Sequence, residues 1–135
     1  MMRLKFSSIE KLDIVKAWVA ISLAFGILNT RNISDLIINF LIALVTVGIG
    51  FLIHELAHKY VAQYYRCFAE FRADNKMLII AIVSSFFGFI FAAPGGVIIN
   101  GFVDNKKYAQ IAAAGPIMNI LIALLFLIIS FIYPL

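Results

Sequence analysis

The chain has 135 residues, 64% of them apolar and 13% charged, with a formal net charge of +4 and a mean hydropathy of +1.03. A single domain of this size cannot hide so much apolar surface in its own core, which excludes an ordinary soluble globule and points to an all-α polytopic membrane protein covered by the lipid bilayer. The 11 basic residues sit in short clusters between long apolar runs, a placement that fits membrane flanks and not a nucleic-acid partner, and the single cysteine, Cys67, excludes an internal disulfide and a cysteine zinc site.

Met1 to Lys16 lacks the short apolar core and small-residue cleavage site of a removable leader. About 20 helical residues cross a hydrocarbon core of about 30 Å, and four apolar stretches are candidates. The first predicted span covers 12–28, with Trp18 placed as an interfacial aromatic and Lys16 able to snorkel. The second covers 36–58 and carries no charge from Leu36 to Ile53. The third, 77–100, is interrupted by Pro94-Gly95-Gly96, which removes a backbone donor and adds two flexible positions. Val97, Ile98 and Ile99 then favour a strand. This stretch reads either as a membrane-embedded loop or β-hairpin near Pro94–Asn100 or as an ordinary helix end and turn. The fourth span covers 109–133.

Arg3, Lys5, Lys11 and Lys16 precede the second span on one side, and Lys59, Arg66, Arg72 and Lys76 follow it on the same side. Only Arg31 lies between the first two stretches. The positive-inside rule therefore places the N-terminus and the 59–76 segment in the cytoplasm. Lys106 and Lys107 share that preference, which favours a third stretch that enters and returns.

His54-Glu55-Leu56-Ala57-His58 lies at the end of the second span and holds both histidines of the chain. Four residues apart on a helix, the imidazoles share one face about 6 Å apart along the axis. Two histidines so placed can grip one zinc ion. Glu55, turned about 100° around the helix, can take a proton from a zinc-activated water without being a ligand. Ionisable groups at membrane depth are costly and tend to be functional. From Asp35 to His54 is about 28 Å of helix, which puts the motif near the cytoplasmic edge of the hydrocarbon, within reach of water. The plainer alternative is a polar helix end among the headgroups.

A second constellation is Ala112-Ala113-Ala114-Gly115-Pro116-Ile117-Met118-Asn119. Small residues let membrane helices approach closely, and Pro116 suits the first turn of a helix. Asn119 is either interhelical glue or a donor to a substrate carbonyl or developing oxyanion.

Together, Phe51-Leu52-Ile53-His54-Glu55-Leu56-Ala57-His58, Pro94-Gly95-Gly96-Val97 and Ala114-Gly115-Pro116-Ile117-Met118-Asn119 resemble the site-2 protease family of intramembrane zinc metalloproteases, over about residues 36–133 and in the family's order. The resemblance implies Zn2+ on His54 and His58, with Glu55 as general base. It also implies a membrane-spanning protein substrate held as an extended strand along Pro94, Gly95, Gly96 and Val97, and Asn119 near the catalytic centre. The family's third ligand, an aspartate in a Leu-Asp-Gly motif on a later helix, has no counterpart here, and the expected explanation is a truncated form of a longer protease. A second copy, a partner chain or an extra water are other ways to complete the coordination. Two rival readings remain: a relative that binds transmembrane segments without cutting them, and a small metal carrier, which would need polar groups along several spans.

Overall fold

A computed structural model describes residues 4–134. Among them are five α-helices and two strands: α1 Ser8–Leu28, α2 Leu36–Val45, α3 Val47–Tyr64, β1 Phe68–Ala73, α4 Asn75–Ser85, β2 Gly95–Asn100 and α5 Asn105–Ile132. Three helix starts are capped from the sequence in the usual way: Ser7, Asp74 and Asp104 accept from the backbone N–H groups of Glu10, Met77 and Lys107. Two helical stretches, Ile33–Tyr64 and Asn105–Ile132, are long and apolar enough to cross a membrane. Their apolar side chains, among them Ile37, Leu41, Leu121 and Leu125, are exposed. The expected span 12–28 falls within α1, whose first half also carries Glu10, Lys11, Asp13 and Lys16.

The helical run from Leu36 is interrupted once, at Thr46, whose ψ of −87° lies outside the helical range. The interruption frees the carbonyl of Leu44, which accepts from the indole N–H of Trp18 at 3.0 Å. Trp18 thus closes a gap in a neighbouring helix, although its position predicts an interfacial anchor. A Cβ at Gly48 would meet that indole and would come within 2.6 Å of Ser22 Oγ, so this glycine lets α1 and α3 approach.

The sheet departs from the expected hairpin. Only one strand comes from Pro94–Asn100, and its partner is β1, inside the charged 59–76 connection. The pair is antiparallel, with Phe68 opposite Asn100, Phe71 opposite Val97 and Ala73 opposite Gly95. Ala69 and Phe71 are buried and face the helices, while Glu70 and Arg72, paired at 3.0 Å, share the other face. A Cβ at Gly95, where φ is +134°, would clash with Arg72 O, which gives the Pro94-Gly95 turn a steric reason. Gly96 has nothing within 4 Å of where a side chain would begin.

The outer edge of β1 is closed by α1. Glu10 accepts from Phe71 N at 2.9 Å and Asp13 from Ala73 N at 3.0 Å. Lys59 completes the arrangement and is not the exposed flanking cation its position predicts. Its Nζ lies 2.7 and 2.9 Å from the Glu10 oxygens and 2.7 Å from Ala69 O, with both side chains almost wholly buried. One lysine therefore ties α1 and β1 to the turn of α3 that carries His58. Ala17, Ala20, Phe71 and Leu78 form one core cluster here, and Ala62, Cys67, Ala69 and Ile111 form a second beside it.

The last helix packs chiefly against α3. It starts at Asn105, so Pro116 lies well inside it and not in a first turn. Proline at such a position removes the bond to the carbonyl four residues earlier, here Ala112.

Candidate metal centre

On α3, His54 and His58 turn the same face toward α5, as their spacing requires. Their Nε2 atoms are 3.1 Å apart, and the rings meet edge to face. Two nitrogens held tetrahedrally at about 2.0–2.1 Å from one zinc ion lie about 3.3–3.4 Å apart, so the separation is close to what zinc needs. His58 Nδ1–H donates to Ile111 O on α5 at 2.7 Å. A neutral ring carries one ring proton, so this bond leaves the His58 Nε2 lone pair free toward His54. On the other ring, Asn119 Nδ2 lies 3.1 Å from His54 Nδ1.

The clearest sign of a built site is Gly115. A Cβ there would fall on His58 Nε2 and come within 2.6 Å of His54 Nε2. The glycine thus lets α5 come close to both imidazoles, and the two nitrogens, by type and separation, fit a zinc ion held by His54 and His58. Gly115→Ala is expected to reduce zinc retention toward the level of His54→Ala or His58→Ala, measured by elemental analysis in a form that supplies a third oxygen ligand. Wild-type zinc content in Gly115→Ala would show that metal does not sit beside this glycine.

Among the described residues, no third His, Cys, Asp or Glu joins the pair. The other six carboxylates have work elsewhere. Glu10 and Asp13 hold β1, Glu70 pairs with Arg72, Asp74 and Asp104 cap helices, and Asp35 accepts from Ser34 Oγ.

Glu55 points away from the histidine face. It lines a cavity of about 460 Å³ between α1, α3 and the sheet, with Ile14, Phe51, Leu52, Phe71 and Val97 among its walls. One carboxylate oxygen, Oε2, is buried without a hydrogen-bond partner among the described residues. Such an oxygen costs free energy and calls for an explanation.

Val97 also lines a second cavity of about 210 Å³, with His58, Ile99, Tyr108, Ile111 and Ala112. Of the predicted strand-holding residues, Val97 shares this cavity with His58, whereas Pro94, Gly95 and Gly96 do not line it. Ile99, inside the predicted strand, joins it, and Tyr108 and Ile111 do so without any sequence signal of their own. The backbone orientation follows from the sheet. Phe71 and Ala73 turn their N–H groups away from β2, so their partners Val97 and Gly95 turn theirs to the far edge of the sheet. Among the described residues, β2 has no neighbour on that edge.

A protein of Methanocaldococcus jannaschii bearing the name "Putative zinc metalloprotease" is similar to this chain, with 37% identity over 131 residues. The match covers 96% of this chain, which spans 66% of that relative's length. No family model matches the chain, and no solved structure does.

Proposed function

We propose that this chain carries the metal-binding and general-base part of an intramembrane zinc metalloprotease of the site-2 type, acting on membrane-spanning protein substrates. The observation that carries the reading is the pair of imidazoles whose Nε2 atoms lie 3.1 Å apart on one face of α3. The name of the Methanocaldococcus relative agrees with it. When bound, zinc supplies Lewis acidity, which lets water lose a proton near neutral pH. Ile111 O orients His58, and Gly115 lets α5 approach both rings without a side-chain clash. Glu55, which lines the cavity on the α1 side of α3, would have to swing toward the metal to take the proton from water and return it to the leaving amine. The far edge of β2 offers the backbone groups of Val97 and Ile99 to an extended peptide, by strand addition, next to His58. In this reading the third protein ligand, which catalytic zinc normally has, comes from outside the described residues. The N-terminus and the active-site end face the cytoplasm.

A second reading, a non-cleaving protein that binds transmembrane segments in the same groove, is favoured by the absence of a third ligating group among the described residues. Chelation separates the two. A form carrying the full ligand set is expected to cut a reconstituted membrane-spanning substrate, to stop when a chelator strips its metal, and to resume when zinc is returned. Substrate that binds with equal affinity with and without metal, and is never cut, would favour the binder.

A further inference from the structure

The turn that ends α3 carries an arginine where glycine is the easier choice. Arg66 N–H donates to Gln63 O at 2.9 Å and Cys67 N–H to Ala62 O at 3.0 Å, the two bonds of a Schellman turn. Arg66 holds the left-handed position of that turn, with φ at +60°, a conformation that strains a residue with a Cβ and not glycine. Its guanidinium makes no ion pair among the described residues. The turn is thus strained by this side chain and gains no ion pair from it.

The same side chain lines a cavity of about 520 Å³ beside the start of α1 and β1, with Lys5, Phe6, Glu10, Phe68 and Glu70 among its walls. Lys5 has no ion pair among the described residues either, yet the segment that carries it is pinned. The Phe6 ring lies 4.8 Å from Lys59 Nζ, and Ser7 Oγ donates to Glu70. Both carboxylates of the cavity are already neutralised, Glu10 by Lys59 and Glu70 by Arg72. Two cations are therefore left over walls that are otherwise mostly apolar, an arrangement that suits an amphiphile with a negative head. The source of such a head lies close by. Arg66 follows the end of the apolar stretch Ile33–Tyr64. Tyr60 and Tyr64 are exposed on the last turns of that stretch, and exposed tyrosines of this kind sit at the level of lipid headgroups.

We propose that Lys5 and Arg66 bind the phosphate of an anionic phospholipid at this end of α3, with the apolar walls taking the carbons next to the headgroup. The cavity offers no uncompensated carboxylate to a choline or ethanolamine cation, which favours a headgroup with net negative charge. The inference rests on the membrane reading and is independent of the metal.

The test is a titration of this chain in a neutral detergent with phosphatidylglycerol, with affinity read by native mass spectrometry and stability by thermal unfolding. Wild type should bind the lipid saturably and unfold at a higher temperature with it, whereas phosphatidylcholine and inorganic phosphate should do little. Lys5→Ala and Arg66→Gln should each weaken binding about fivefold, the contribution of one basic residue facing an anionic lipid. Lys76→Ala removes an exposed cation outside the cavity and should leave affinity unchanged. Arg66→Gly separates ligand from fold: it should lose the same affinity as Arg66→Gln and yet, without lipid, unfold at a higher temperature than wild type. An equal loss of affinity in Lys76→Ala would overturn the proposal, since attraction to any basic surface would then suffice. So would an equal response to inorganic phosphate, or wild-type affinity in both Arg66 variants. A wild type that stays in solution without detergent and does not enter lipid vesicles would overturn the membrane reading and this site with it. Entry into vesicles with no preference for phosphatidylglycerol over phosphatidylcholine would overturn the site alone.

Discussion

Replacing Glu55 with glutamine is expected to slow proteolysis by about 10²–10⁴-fold, the range for losing a positioned general base, while zinc stays bound. The amide keeps the shape of the side chain but cannot accept the proton of water. Metal retention follows from geometry: Glu55 lines the cavity on the α1 side of α3, whereas both imidazoles face α5. The fold should tolerate the change, because it replaces a buried carboxylate oxygen that has no partner among the described residues with a neutral group. Rate and metal content must be measured together, in a form with the complete ligand set. Loss of zinc would make Glu55 a ligand and send the search for the base elsewhere. Zinc retained with full activity would end the water-activation mechanism.

The largest effect on stability is expected at Lys59. In Lys59→Met, Glu10 remains among α1, α3 and β1 as an uncompensated buried charge, a situation that typically costs about 3–5 kcal/mol. Both partners are nearly inaccessible, at 2% and 1% exposure, so water cannot replace the ammonium. Removing both charges, as in Glu10→Leu with Lys59→Met, should recover part of the loss and not all of it. Phe71 N and Ala69 O would still lose their partners, at about 1–3 kcal/mol for each buried group left unsatisfied. Unfolding by denaturant in detergent micelles measures the series. Single variants within about 1 kcal/mol of wild type would mean that the pair is open to solvent in the folded protein.

The parts of this architecture that obey local periodicity were legible in the sequence. The four-residue spacing of His54 and His58 fixes their shared face wherever α3 lies, and the apolar runs fix most of the helices. Val97 was legible as strand because of its β-branched neighbours, and Gly115 as a point of close approach because of the small residues around it. The partner strand was not. Ala69 to Ala73 alternates apolar with charged residues, a strand pattern of only five residues, and its charges, next to Arg66 and Lys76, place it first among the flanking cations. Lys59 was misread for a related reason. Its position after a span predicts a flanking cation, and only the tertiary fold brings Glu10, 49 residues away, against it. Nothing in the sequence marks the amide of Asn119 as lying 3.1 Å from a ring nitrogen.

The bonds from Glu10 and Asp13 to alternate amides of β1 also govern how copies of this protein meet. An open strand is a template for any passing strand, including its own duplicate. With β1 sealed, two copies cannot join through it into a continuous sheet. Among the described residues, the open edge of the sheet is that of β2. On the proposed function, a polypeptide that joined that edge would lie next to His58, while the opposite edge is covered by two carboxylates, each of which accepts one backbone hydrogen bond.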